Sequence, residues 1–521
     1  MTVESGTLPG ARPARGPAGD SPARGDGFAG GTRIVRNILA LGFAQVFTWL
    51  SAAGLAVVLP RYIGDVALGR LTLASSFTEL FGLLASLGTA IYLTKEVARS
   101  RQAAAPQVLN ALASRVPLVL AASGMAVGLA LLLGYSPSTM ELIYLYCVNI
   151  AVVSVTGILT GTLQGLQEMR PVALVNSLSK LTLLALVALF LSQGQGVHGV
   201  VLAWVLAGSL GVGGYFLAVV RNRAIGGRID VATWRPLLFA GLPFFVWQSA
   251  LLIYGQVDVI LLSFFTTEAV IGWYGAAYRI VSIPVFIPMI IMTAVFPAMA
   301  SAAEHDRPAF DAIARRAMQV VLVATVPIAL GTMVIAEPLV YFLGWGEFTR
   351  STPLIIILAM HIPIMGADMM IGTALNSLDK QRMWAIMAVA AALLNPAINC
   401  ILIPVTDAAY NNGAIGSATA TVITELFMMV MGLLLLRGEG VFERSSLMVA
   451  LKCLAAGALM AALIWPLREM YLPFVVLVGA TVYGGASLAL GTVSPKDLRA
   501  LRSYVLDRAE SRSTPVDGPG E

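Results

Sequence analysis

Six ionisable side chains stand well inside long apolar stretches of this sequence: Glu79, Lys180, Asp258, Arg279, Asp368 and Glu425. Two kinds of chemistry suit such groups. A guanidinium or ammonium can hold an anion such as a phosphate, and a carboxylate can take up and release a cation. Neither is stable against lipid, where a charge at the centre of a helix costs about 2.5–3.5 kcal/mol. The six must face a bundle interior or a watery cavity.

Helical spacing gives them neighbours. Thr72, Ser75, Glu79, Gly82, Ser86 and Thr89 recur at steps of three and four, so a helix puts them on one polar stripe. Gly275, Arg279, Ser282, Phe286, Met289 and Thr293 form a second stripe, and Gln248, Gly255 and Asp258 a third. His361 and Asp368 lie two turns apart on one side, and Asn176 and Lys180 one turn apart. Bland readings fit the same residues. Asp258 and Arg279 suit a plain buried ion pair, Glu79 and Glu425 suit protonated hydrogen-bonding groups, and His361 suits a satisfied interior histidine. Pro243, Pro284, Pro288 and Pro297 are expected to bend the helices around them.

The elements that carry these groups follow from composition. Of 521 residues, 58% are hydrophobic and only 12% charged, against about 25% charged in a soluble domain. Apolar stretches of about 20 residues, enough to cross a ~30 Å hydrocarbon layer, predict fourteen spans. These are 34–59, 68–93, 108–133, 140–163, 172–191, 197–220, 237–264, 270–297, 318–343, 354–378, 383–403, 413–436, 447–465 and 472–490. Lys and Arg crowd one set of connections, among them Lys95, Arg99, Arg170, Arg221, Arg223, Arg228, Arg235, Arg307, Lys380 and Arg437. The opposite set holds only Arg61, Arg70, Arg350 and Arg468. By the positive-inside rule both termini are cytoplasmic, in a multi-pass protein of the cytoplasmic membrane. The outer connections are too short for a folded domain.

Residues 1–33 have no apolar run, so a disordered tail is expected there and no signal peptide. Pro495–Arg508 has an apolar face suited to the inner leaflet, and equally suits a solvated tail. Cys147, Cys400 and Cys453 are far apart and read as packing residues, with no disulfide or metal site expected. The net charge of +5 is scattered and gives no nucleic-acid stripe.

The chain also resembles itself. LQGLQEMR at Leu163–Arg170 matches LNSLDKQR at Leu375–Arg382, an offset of 212, each with a Gly-Thr pair just upstream. Gly69 and Ala74 match Gly272 and Ala277, an offset of 203. Both equate span n with span n + 6, which implies two parallel six-helix lobes around a central cavity. The expected organisation is a tail (1–33), an N-lobe (34–220), an inter-lobe loop (221–236), a C-lobe (237–436), two appended spans (437–492) and a cytoplasmic tail (493–521).

On this arrangement, with KEVARSR after span two, VDVILLSFF in span seven, GWYGAAYRI opening span eight and LNSLDKQR closing span ten, the chain resembles the polysaccharide-transporter (Wzx-like oligosaccharide flippase) family. That family belongs to the multidrug/oligosaccharidyl-lipid/polysaccharide exporter superfamily, and the resemblance covers roughly Ile34 to Leu490. It implies an all-α carrier that moves a polyprenyl-diphosphate-linked oligosaccharide across the membrane by alternating access, driven by a proton or sodium gradient, for cell-surface polysaccharide biosynthesis. Asp258 and Arg279 match the acidic and basic places of the family's VD and YR patterns. In that role Arg279 and Lys180 would meet the diphosphate, with Gln248 and Asn176 in the same cavity. Asp258, Glu79, Asp368 or Glu425 would handle the coupling cation. Membrane lipids and a polysaccharide polymerase are the candidate partners.

Two positive against four negative interior charges also leave room for a cationic substrate. A cation-coupled multidrug antiporter of the same superfamily is therefore the runner-up, and a peptidoglycan-precursor flippase fits the motifs less well. A membrane glycosyltransferase or polysaccharide ligase would need catalytic groups in a sizeable outer loop. No such loop, phosphate-binding Gly-rich turn or metal cluster is found, so no catalytic residue and no cofactor are expected.

Overall fold

Backbone groups in hydrocarbon must pair within their own segment, so apolar stretches like these fold as helices. A computed structural model describes residues 26–437, 439 and 444–493, with the backbone alone at 26–44, 46, 101–104, 247, 250, 251, 444 and 445. Among the described residues there is no strand. The helices are α1 (Asp26–Ser86), α2 (Thr89–Arg99), α3 (Arg101–Leu132), α4 (Pro137–Gly165), α5 (Met169–Ser192), α6 (Gly196–Arg221), α7 (Trp234–Phe265), α8 (Glu268–Ser282), α9 (Phe286–His305), α10 (Arg307–Phe342), α11 (Thr352–Ser377), α12 (Gln381–Tyr410), α13 (Ala414–Leu435), α14 (Arg444–Ile464) and α15 (Leu472–Ala489). Of the tail expected over 1–33, residues 26–33 are helical in α1 and the rest lie outside the described residues, as does Pro495–Arg508.

Twelve helical stretches among the described residues are long and apolar enough to cross a membrane, where the sequence predicted fourteen. The difference has two sources. Expected spans one and two run together in Phe47–Ser86, 40 residues long. A straight helix of that length would reach about 60 Å, twice the hydrocarbon thickness, and its course is broken at Gly64 (φ 76, ψ 175). Only glycine takes that conformation without strain. Expected span seven corresponds to α7, a 32-residue helix that is not one of the twelve.

Two expected spans are interrupted. The second breaks after α1 at Leu87 (φ 43) and Gly88 (φ 66), so the polar stripe holds from Thr72 to Ser86 and Thr89 belongs to α2. The eighth divides into α8 and α9 at a 3₁₀ turn, Ile283–Val285, around Pro284. Pro243 sits inside the continuous α7.

Packing groups the elements. Helices α1, α3, α4, α5 and α6 pack on one another, as do α9 to α13, while α1 meets α8, and α2 meets α7. Helices α14 and α15 pack together and on α10. The segments that match in sequence fold alike. Helix α4 ends at Gly165 and α5 starts at Met169, with Gln167 between them at φ 59. Helix α11 ends at Ser377 and α12 starts at Gln381, with Asp379 at φ 57. Each landmark in the second pair is displaced from the first by the sequence offset. Of the cysteines, Cys453 is buried and Cys147 half-buried, while Cys400 is exposed.

Candidate functional site

The stripe on α1 opens onto a cavity of about 400 Å³ lined by Glu79, Gly82, Ser86, Arg115, Tyr146 and Gln248, among others. Glu79 is exposed to it, and Glu79 Oε2 accepts a hydrogen bond from Gln256 Nε2 of α7 at 2.8 Å. Two sequence candidates, Glu79 and Gln248, thus share one wall. Arg115, on α3, was not singled out from the sequence. It is buried, and its guanidinium donates to the Ala85 carbonyl and to Thr89 Oγ1.

A second cavity of about 390 Å³ is lined by Arg279, Ser282, Phe286 and Met289 from the α8–α9 stripe, facing Trp49 and Trp204. The Trp49 and Phe286 rings lie 4.6 Å apart. Tyr146 of the first cavity packs on Trp204 of the second at 5.9 Å, so this aromatic pair links the two. Arg279 Nε is buried with no hydrogen-bond partner among the described residues. The carboxylate whose charge acts on Arg279 is Glu79. It is not Asp258, and no ion pair joins Asp258 to Arg279 among the described residues. The plain buried pair that the sequence allowed is not formed.

Asp258 instead anchors a separate buried polar group. Its Oδ2 accepts from Thr421 Oγ1 at 2.7 Å and Tyr274 OH at 2.8 Å, and its Oδ1 accepts from Asn399 Nδ2 at 2.9 Å. The Asp368 and Glu425 carboxyl groups adjoin each other nearby, and Tyr254 OH donates to Glu425 Oε1 at 2.6 Å. His361 is buried within range of the Glu425 and Asp258 charges. Helices α7, α8, α11, α12 and α13 all contribute. Two carboxyl groups side by side cannot both stay ionised without a proton or cation between them, so this group can load and unload positive charge. Among the described residues no three His, Cys, Asp or Glu side chains are placed to hold a metal.

Lys180 and Asn176 fall elsewhere. Both lie on α5 against α1, where Asn176 Nδ2 donates to Thr48 Oγ1 at 3.2 Å and the Lys180 carbonyl accepts from Ser51 Oγ. Neither lines either cavity.

Where α1 turns at Gly64, α1 and α8 meet backbone to backbone. A Cβ on Gly69 would stand 1.7 Å from the Glu268 carbonyl oxygen, and one on Gly272 would stand 2.0 Å from that of Asp65. These residues are related by the offset of 203 that the sequence revealed, so each copy contacts the other in the manner of a two-fold interface. The side chains follow the same pairing. Glu268 Oε2 accepts from Arg70 Nε at 2.5 Å, and Asp65 Oδ2 accepts from Trp273 Nε1 at 2.9 Å. At the other end Gly88 meets Gly241 of α7, with a Cβ on either glycine 2.3 Å from the other segment's carbonyl oxygen.

Comparison with known proteins bears on this geometry. A family model described as "Polysaccharide biosynthesis protein" matches residues 34–303. Among curated proteins of Haloferax volcanii, the probable low-salt glycan biosynthesis flippase Agl15 is 23% identical over 172 residues, which span 33% of this chain and 35% of Agl15. The probable flippase AglR is 24% identical over 397 residues, 72% of this chain and 80% of AglR. Among solved structures, the lipid II flippase MurJ in an inward closed conformation covers 87% of this chain and 98% of its own at TM-score 0.68 and 18% identity. An inward-facing multidrug resistance MATE family transporter of the MOP superfamily covers 76% and 95% at TM-score 0.59 and 13% identity. At such identities the likeness is one of fold.

Proposed function

The chain belongs to the family of polysaccharide biosynthesis proteins, bearing out the resemblance read from its motifs, and from that premise we propose that it is a flippase that carries a polyprenyl-diphosphate-linked oligosaccharide between the leaflets of the cytoplasmic membrane. The Haloferax flippases and the lipid II flippase fold support the class of cargo.

The observation that carries the reading is Arg279. A buried guanidinium N–H without an acceptor is costly unless an anion completes it, and Arg279 lines a cavity between the two helix groups with its Nε unpartnered, feeling the Glu79 charge but in no ion pair with it among the described residues. A diphosphate would supply the missing acceptor through charge-assisted hydrogen bonds. Glu79 and Gln248 in the adjoining cavity offer an acceptor and an amide to sugar hydroxyls. The aromatic wall of Trp49, Trp204 and Phe286 suits the apolar end of the carrier lipid. Lys180 and Asn176 line neither cavity and take no part in that contact.

Our reading has fourteen crossings, counting Phe47–Ser86 as two and α7 as one, in two lobes with α14 and α15 appended. The Lys and Arg bias puts the Asp65 end outside and both termini in the cytoplasm. Transport then requires the Gly69–Gly272 contact and the Gly88–Gly241 contact to part in turn. The Asp258, Asp368 and Glu425 group is the natural seat for a coupling proton or sodium ion, because loading it changes the charge beside α7 and α8. An interior guanidinium with an unfilled N–H favours this cargo over the cationic drugs of an antiporter, and the short outer connections disfavour a glycosyltransferase. Replacing Arg279 with Ala should abolish surface glycan while the protein still reaches the membrane, and Arg279→Lys should restore part of it. Normal glycan export by the alanine variant would refute this assignment.

A further inference from the structure

We propose that Arg115 is a latch that senses anions: it pins the break between α1 and α2, and it lets go when a diphosphate group passes through the Glu79 cavity on its way to Arg279. The proposal rests on the transport reading above for its purpose, though not for its geometry.

The break creates the need for a pin. In an unbroken helix the Ala85 carbonyl would accept from the N–H of Thr89, and the left-handed residues Leu87 and Gly88 remove that bond. A buried carbonyl must then find another donor. Arg115 provides it, donating one guanidinium nitrogen to the Ala85 carbonyl and the other to Thr89 Oγ1, so a single side chain grips both sides of the break. Thr89 is fixed in turn by donating to the Ser86 carbonyl at 2.8 Å. A leucine at positive φ is strained, so the conformation persists only while its surroundings enforce it.

The break also decides whether the two halves touch. Gly88 lies against Gly241 and Phe245 of α7 so closely that a Cβ would stand 2.3 Å and 2.5 Å from their backbone atoms. A side chain at Gly88 would therefore push α2 from α7.

The ligand half follows from what Arg115 lacks. It is 2% exposed and lines the cavity shared with Glu79 and Gln248. Its Nε–H has no partner, and no carboxylate forms an ion pair with it among the described residues. Glu79 is occupied by Gln256 and by the charge of Arg279. Arg115 therefore holds its charge against neutral acceptors alone. The bonds to Ala85 and Thr89 already gain from the Arg115 charge, but neither acceptor carries a countercharge; a diphosphate adds ion–ion attraction at low dielectric and a bidentate geometry, so it outcompetes both. Cargo arrival is thereby coupled to the Gly88–Gly241 contact.

The test uses the full chain in nanodiscs, with its three cysteines replaced and spin labels at Lys95→Cys on α2 and Arg235→Cys on α7, both exposed positions. Pulsed dipolar spectroscopy then reads the separation of the two helices. Without ligand a single short distance is expected, and inorganic diphosphate should add a longer population. Arg115→Gln should show that population without diphosphate, changing the ratio of states by about tenfold, and should not respond further. Thr89→Val, which removes one acceptor with little change of shape, should move the same way and carries the test if Arg115→Gln fails to fold. Wild-type distances in either variant would overturn the pin. An unresponsive wild type, or an equal response in Arg115→Gln, would overturn the sensing. The readout needs no glycan, so a latch that works in a protein unable to flip lipid-linked sugars would remove the transport reading alone.

Discussion

Placing a methyl group on Gly69 should force the Asp65 end apart, and the size of the effect can be worked from the contact. The new Cβ would stand 1.7 Å from the Glu268 carbonyl oxygen, whereas a carbon and an oxygen rest at about 3.3 Å. Helices α1 and α8 would have to part by about 1.5 Å, and no side-chain rotation can relieve a clash with backbone. Such a shift carries the 2.9 Å bond from Trp273 to Asp65 past any useful hydrogen-bond length, and it loosens the 2.5 Å Arg70–Glu268 pair with it. Overpacking of this kind costs about 1–3 kcal/mol, which changes the ratio of closed to open forms by about 5–150-fold. Spin labels at Glu141→Cys and Tyr410→Cys, both exposed at that end, should report a depleted short distance in Gly69→Ala. Gly272→Ala should do the same, because its Cβ meets Asp65 equivalently. Variants that keep the wild-type distances and transport rate would show that this contact is not a gate.

Three further outcomes follow from the same geometry. Asp258→Asn keeps the shape and one of the two acceptor oxygens but not the charge; transport should fall at least tenfold and cease to respond when the proton and sodium gradients are collapsed, whereas an unchanged gradient dependence would make Asp258 structural. Glu439, beyond the end of α13, is held below the usual carboxylate range by a hydrogen bond from Lys380 and by Arg307. A lowered value contributes stability above the ordinary carboxylate range and loses it as pH falls through the folded value, so Glu439→Gln should cost about 1 kcal/mol at neutral pH, with the gap closing on acidification; parallel melting curves at every pH would contradict this. Trp49→Ala together with Trp204→Ala should weaken transport of long-chain carriers more than of short-chain analogues, and equal losses would remove the aromatic wall from the lipid end.

Much of this was legible before any coordinates. Residue type and a period of three to four put Arg279, Ser282, Phe286 and Met289 on one face, and all four line one cavity. The internal matches equated span four with span ten, and the turns that follow them share a left-handed residue, Gln167 in one and Asp379 in the other. Periodicity fixes a face but not what the face meets. Asp258 and Arg279 are neighbours in span order yet look in different directions, one toward Asn399 and Thr421, the other toward Glu79 and Tyr146. The break at Leu87 left no local mark because leucine is a strong helix former and only the adjoining glycine hinted at it. Arg115 escaped notice because an arginine near the start of an apolar stretch resembles an interfacial anchor. Asn395 and Asn399, one turn apart in an apolar helix, were a signal that could have led to the Asp258 group.

Alternating access requires cargo to cross through a passage that opens at one end and then the other. A fluorescent polyprenyl-diphosphate oligosaccharide in proteoliposomes would report its appearance in the opposite leaflet, with and without a covalent cross-link between α1 and α8 at the Asp65 end. Transfer that is rapid in the free protein, abolished by the cross-link and restored on cleaving it is the predicted result. Equal transfer by the cross-linked protein would contradict the account.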